Sequence, residues 1–182
     1  MILARAARGK SIKSVMENNI IKEFEKVRDI PYRIALLLDE PSGDCLGKAQ
    51  LLFKIFEKYG YKVRYRICKI KWSSLNLPDE ITKIPHDDNC SHAYLEVKIN
   101  EDWKIIDPTW DKGLKNLFPI NEWDGKSGTK LAIPSAETLT PEASLEHLKY
   151  ITTLEGIESD LKENGKFYKA LNEWLEISRQ KI

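Results

Sequence analysis

Cys45 is the residue of this chain whose setting departs most from the ordinary use of its type. It stands in Ser42-Gly43-Asp44-Cys45-Leu46-Gly47-Lys48-Ala49-Gln50. Asp44 or Ser42 can cap a helix beginning here, which puts Cys45 in its first turn. The N–H groups of a first turn lack intrahelical partners and the helix dipole is positive at that end, so both stabilise a thiolate. Cys45, Ala49, Leu52 and Phe56 recur at helical spacing, which aims the sulfur toward whatever the apolar face covers. Gly47 costs helix stability but leaves room beside the sulfur. The chain holds two further cysteines, Cys68 in a strand pattern and Cys90 in a polar loop. These keep the default of a reduced cysteine, a small core or loop residue.

A thiolate nucleophile needs a base, and the base an orienting group. The histidines are His86, His92 and His147. Residues 92–99 (HAYLEVKI) alternate, with Ala93, Leu95, Val97 and Ile99 on one face and His92 with Tyr94 on the other. His92 is therefore off the apolar stripe and able to meet a ligand or a thiol. A second strand, 103–107, follows a turn at Asn100-Glu101. A two-residue turn pairs Ile99 with Asp102 and sets Asp107 opposite Tyr94, on the face of His92 and within side-chain reach of it. A turn of odd length would place them on opposite faces. Pro108 ends the strand, so Cys45, His92 and Asp107 can meet where a helix start adjoins two strand ends.

The elements that must position these residues follow from the remaining pattern. Apolar residues at helical spacing predict an N-terminal helix over 11–28, with Ser11 as a cap, and a second helix over 44–59, stopped by Gly60. Residues 61–72 alternate as a strand, but the apolar parity switches after Ile67, which predicts a bulge at 67–69. A polar loop covers 73–91. Residues 110–140 are loop-rich, with Ile133 in a short strand, and 141–182 form one or two helices. Helices, then consecutive strands, then helices imply an α+β fold with an antiparallel sheet.

The chain has 182 residues, suited to one domain over 1–182. Hydrophobic residues are 42% and charged residues 31%, which is globular and excludes a disordered chain. With 29 Lys and Arg against 28 Asp and Glu, the net charge of +1 argues against nucleic-acid binding. No apolar run is long enough for a membrane span. Residues 1–10 lack the apolar core of a signal peptide. The expected setting is cytoplasmic, with reduced thiols.

These residues resemble the transglutaminase-like superfamily of papain-related cysteine enzymes in three blocks. Gly43-Asp44-Cys45, then Ala49, Leu51-Leu52 and Gly60-Tyr61-Lys62-Val63-Arg64, is similar to the nucleophile block. Ser91-His92-Ala93-Tyr94 with Glu96-Val97 is similar to the histidine block, with Tyr94 where the family commonly has Trp. Trp103 with Ile106-Asp107-Pro108-Thr109 is similar to the aspartate block. The blocks span residues 32–111.

The resemblance implies a papain-like or transglutaminase-like core, with a nucleophile helix packed on an antiparallel sheet, and a catalytic triad of Cys45, His92 and Asp107. It implies acyl transfer, or amide or peptide hydrolysis, through a thioester. The substrate would be a protein, a peptide or a small amide, with no cofactor or metal. The N–H of Cys45 is expected to serve as an oxyanion donor, with a second donor upstream.

Other signals fit simpler roles. The run from His86 to His92 matches no usual zinc spacing. Trp72, Trp103, Trp110 and Trp123 are expected in the core, with a substrate cleft as the other place for Trp110 or Trp123. His147 is expected to be exposed. Two competing readings are a binding module that has kept the fold without activity and a coenzyme A-dependent acetyl transferase using the same triad. Nothing specific for coenzyme A accompanies the latter.

Overall fold

The helix carrying Cys45 starts at its expected cap. The computed structural model describes residues 17–38 and 40–180. Its first helix, α1, is described over 17–28, so the Ser11 cap and the expected first turns lie outside the described residues. Helix α2 is Cys45–Lys58. The Asp44 carboxylate accepts from the N–H of Gly47 at 2.8 Å, and the Ser42 hydroxyl accepts from the N–H of Asp44 at 3.2 Å. At the other end, the N–H of Gly60 donates to the Glu57 carbonyl. Gly60 takes φ of +80°, a conformation that favours glycine.

Four antiparallel strands, β1 (Val63–Lys71), β2 (Asn89–Ile99), β3 (Asp102–Ile106) and β4 (Glu137–Thr138), form one curled sheet in the order β3-β2-β1-β4. The fold is thus mixed α and β. A short helix α3 (Asp79–Thr82) interrupts the expected loop after β1. Helices α4 (Pro141–Ile151) and α5 (Leu154–Arg179) close the chain. They are separate because the Thr153 hydroxyl caps α5 by accepting from the N–H of Gly156 at 3.0 Å.

The β2–β3 hairpin turns at Asn100 and Glu101, both with positive φ, as a tight two-residue turn requires. Ile99 pairs with Asp102 and Leu95 with Ile106, the register the even turn predicts. Three expectations are corrected. No bulge interrupts β1: its pairing with β2 runs unbroken from Val63↔Val97 to Lys71↔Asn89. The parity switch has another cause, since the strand is covered on both faces. Ile133 is buried but lies outside any strand, and the short strand is β4, paired to Cys68 and Lys69. Cys90 belongs to β2 and not to a loop.

On one face of the sheet, Ala49, Leu52 and Phe56 of α2 and Ile20, Phe24 and Val27 of α1 pack with Leu95, Val97 and Ile106. Leu148 of α4 joins Ile67 and Ala93 on the same side. On the other face, Phe167, Tyr168, Leu171 and Leu175 of α5 cover Cys68, Ile70 and Tyr94. Trp72, Trp110 and Trp123 are buried as expected, whereas Trp103 is 38% exposed and carries the Arg64 guanidinium 4.1 Å over its ring.

One close approach sets the start of α2. The N–H of Gly43 donates to the Arg33 carbonyl at 3.0 Å, and a Cβ on Gly43 would collide with the carbonyl oxygen of Pro31. Gly43→Ala is expected to lower unfolding free energy by about 1–3 kcal/mol, the usual cost of overpacking. Urea denaturation measures this, and an unchanged midpoint contradicts the contact.

Candidate active site

The pairing of β3 with β2 reaches only to Leu95. Beyond it, the first part of β2 is not paired to β3, and the chain leaves β3 through Asp107-Pro108-Thr109. Cys45, His92 and Asp107 come together here. Cys45 is half-buried in the first turn of α2 and packs against Ala93, Ile67 and Leu148. His92 and Asp107 are fully buried. Asp107 Oδ2 lies 2.8 Å from His92 Nε2. A carboxylate only accepts, so Nε2 carries the hydrogen of that bond. Nδ1 then remains, buried and with no hydrogen-bond partner among the described residues. The Cys45 thiol is close enough to act on the ring both by charge and as a hydrogen-bonding group, although bond geometry is not closed.

Asp107 is held from several directions. Its Oδ2 also accepts from the N–H of Ala132 at 2.8 Å. Its Oδ1 accepts from the N–H and hydroxyl of Thr109. Its own N–H donates to Thr129 Oγ1, and its carbonyl accepts from Asn121 Nδ2. Burial alone would raise its pKa, but the charge of His92 and these donors outweigh burial and leave it below the ordinary carboxylate value. Burial would likewise lower His92. Asp107, by charge and hydrogen bond, and then Cys45 reverse this and raise His92 well above its ordinary value.

The other cysteines are not remote. Cys68 pairs with His92 across the strands, and the ring acts on its thiol. Cys90 feels the charge of Cys45, after a larger upward push from burial. His86 stacks on Phe167 at 4.0 Å, and His147 is half-buried with Nε2 unpartnered among the described residues, which corrects the expectation that it is exposed. A cavity of about 490 Å³, lined in part by Leu131, Ala132 and Ser135, includes none of Cys45, His92 and Asp107.

Sequence reasoning missed Lys48. It is fully buried one turn after Cys45, and its ammonium donates to the carbonyls of Arg28 and Thr109, both at 2.8 Å. Burial pushes its pKa down to about 8, with Asp111 opposing. A lysine inside the stripe of Cys45, Ala49 and Leu52 was the available signal. Lys48 ties α2 to the end of α1 and to the segment that fixes Asp107. Comparison with family models, with curated proteins and with solved structures returned no match.

Two outcomes follow from this geometry. Lys48→Met leaves two buried carbonyls without a donor and is expected to cost about 1–3 kcal/mol of stability, read by urea unfolding. The raised His92 contributes stability that is fully present below its unfolded value of about 6.5 and is lost as pH rises through its folded value. The lowered Asp107 contributes above its unfolded value of about 3.9 and loses this on acidification. The stability gap between the wild type and His92→Gln is therefore expected to be largest between about pH 5 and 6.5 and to narrow in alkali. A gap that widens with rising pH contradicts the pairing.

Proposed function

We propose that the chain is a cysteine-dependent acyl-transfer or amide-hydrolysing enzyme with a transglutaminase-like, papain-related core, acting through a thioester on Cys45. The observation that carries this reading is the vacant Nδ1 of a fully buried, Asp107-bound His92 beside a half-buried thiol at a helix start. Most buried side-chain nitrogens have a hydrogen-bond partner. Here one is fixed and the other is left toward the sulfur.

In the proposed reaction, the Cys45 thiolate attacks the carbonyl carbon of an amide or ester while His92 holds the proton. A C–S bond forms and the carbonyl oxygen takes the charge. The Asp44 carboxylate occupies the N–H of Gly47, whereas the N–H of Cys45 has no partner among the described residues and is a donor for that oxyanion. On collapse, the C–N or C–O bond breaks and His92 passes its proton to the leaving group. Neutral Nδ1 then takes a proton from water or an amine as its oxygen or nitrogen bonds to the thioester carbon; the C–S bond breaks, the acid or new amide leaves, and the Cys45 thiolate and protonated His92 are restored. Asp107 keeps the ring in the tautomer this cycle needs and supports the imidazolium. The protein, peptide or small-amide substrate fits this chemistry.

Iodoacetamide under native conditions is expected to modify Cys45 before Cys68 or Cys90, as read by peptide mass mapping. An activated ester such as p-nitrophenyl acetate is expected to give a burst of nitrophenolate and a thioester on Cys45, both lost in Cys45→Ala. Faster labelling of Cys68 or Cys90, or no acylation from neutral to alkaline pH, sinks the reading and favours a binding module.

A further inference from the structure

Tyr32 is held beside the turn into Cys45 by bonds to its backbone. Its N–H donates to Asp111 Oδ2 at 2.8 Å, and its carbonyl accepts from Arg179 Nη2 at 2.8 Å. Arg179 in turn bonds Asp111 at 2.8 Å, so one ion pair clamps the Tyr32 peptide from both sides. The residues flanking Tyr32 lie against Gly43: the Pro31 carbonyl is in close approach to its Cα, and the Arg33 carbonyl accepts its N–H. Tyr32 therefore runs alongside the turn that leads into Cys45. Its ring is 3% exposed and sits on Trp110, with centroids 4.6 Å apart. Its hydroxyl makes no hydrogen bond to a described residue and is not among the sealed, unpartnered side-chain atoms, so it stands open to a bound group. Of the titratable groups around that phenol, Cys45 acts on it most strongly, followed by Asp44 and Cys90.

We infer that Tyr32 is a catalytic residue whose hydroxyl donates to the oxyanion formed when Cys45 attacks, opposite the N–H of Cys45. This rests on the acyl-transfer reading above and completes its oxyanion site. The phenol suits the task because burial, and then its interaction with Cys45, raise its pKa well above the ordinary value. It donates a hydrogen bond without losing its proton, so no proton transfer is added to the cycle. The clamp and the Trp110 ring fix it in place before substrate arrives, which is where electrostatic stabilisation gains its effect.

Tyr32→Phe keeps the ring on Trp110 and the backbone clamp and removes only the hydroxyl. The wild type and the variant are compared in two reactions of Cys45. Alkylation by iodoacetamide displaces iodide at a methylene carbon and builds no oxyanion, whereas acylation by p-nitrophenyl acetate does. Tyr32→Phe is expected to slow acylation by about 10²-fold, the usual effect of losing one oxyanion donor, with the alkylation rate unchanged. Unchanged alkylation also reports that the variant is folded around its thiol. Equal loss in both reactions overturns the proposal, because Tyr32 would then act on the thiolate. No loss in either overturns it and leaves the acyl-transfer reading standing. A wild type that alkylates at Cys45 but never acylates overturns both.

Discussion

The buried pair of His92 and Asp107 is the constraint around which the rest is arranged. An isolated charge in a protein interior is strongly unfavourable, and a buried pair is tolerated only when its remaining hydrogen-bonding capacity is met. Asp107 meets that demand with donors from Thr109 and Ala132, while Thr129 and Asn121 hold its backbone. The irregular stretch after β3 is therefore shaped by one carboxylate. It has little regular structure because its N–H groups and side chains serve Asp107 in place of a sheet. His92 gains one satisfied nitrogen from this arrangement, and its other nitrogen is left without a partner among the described residues.

A second constraint is that β1 and β2 lie between two layers. The α2 side and the α5 side use alternate residues of the same strands, Tyr65 and Ile67 toward one, Cys68 and Ile70 toward the other. Cys45 arrives with α2, and Tyr32 and Tyr168 pack with the α5 layer. The candidate site occupies the margin where the two layers come together, beyond the last β3 pairing. Lys48 fastens this margin from the α2 side, and the Asp111–Arg179 pair from the α5 side.

Much of this was legible in the sequence because it depends on local rules. A capped helix start, a glycine stop and a two-residue turn each act over a few residues, and the parity of the turn was enough to place Asp107 on the face of His92. The parity switch in β1 was misread because alternation reports which face is apolar, not how many faces are covered. A strand covered on both sides at different points gives the same signal as a bulge. Lys48 and Tyr32 were missed for a related reason. Their roles depend on a carbonyl and an arginine 61 and 147 residues away in sequence, at Thr109 and Arg179. The papain-like character of the core belongs to the resemblance and to the functional proposal, since the architecture itself is a mixed fold with a four-stranded antiparallel sheet.

The clamp on Tyr32 also orders events in time. Arg179 follows Tyr32 by 147 residues, and contacts of that span form late because they close a long loop. On a ribosome the chain emerges from its N-terminal side. The segment bearing Cys45 is exposed early, the hairpin carrying His92 and Asp107 comes next, and the last turn of α5 comes only after both. A nascent chain thus holds its thiol for most of its synthesis without the clamp that sets Tyr32 beside it. Assembly of the full constellation of Cys45, His92, Asp107 and Tyr32 therefore waits on nearly the whole described chain.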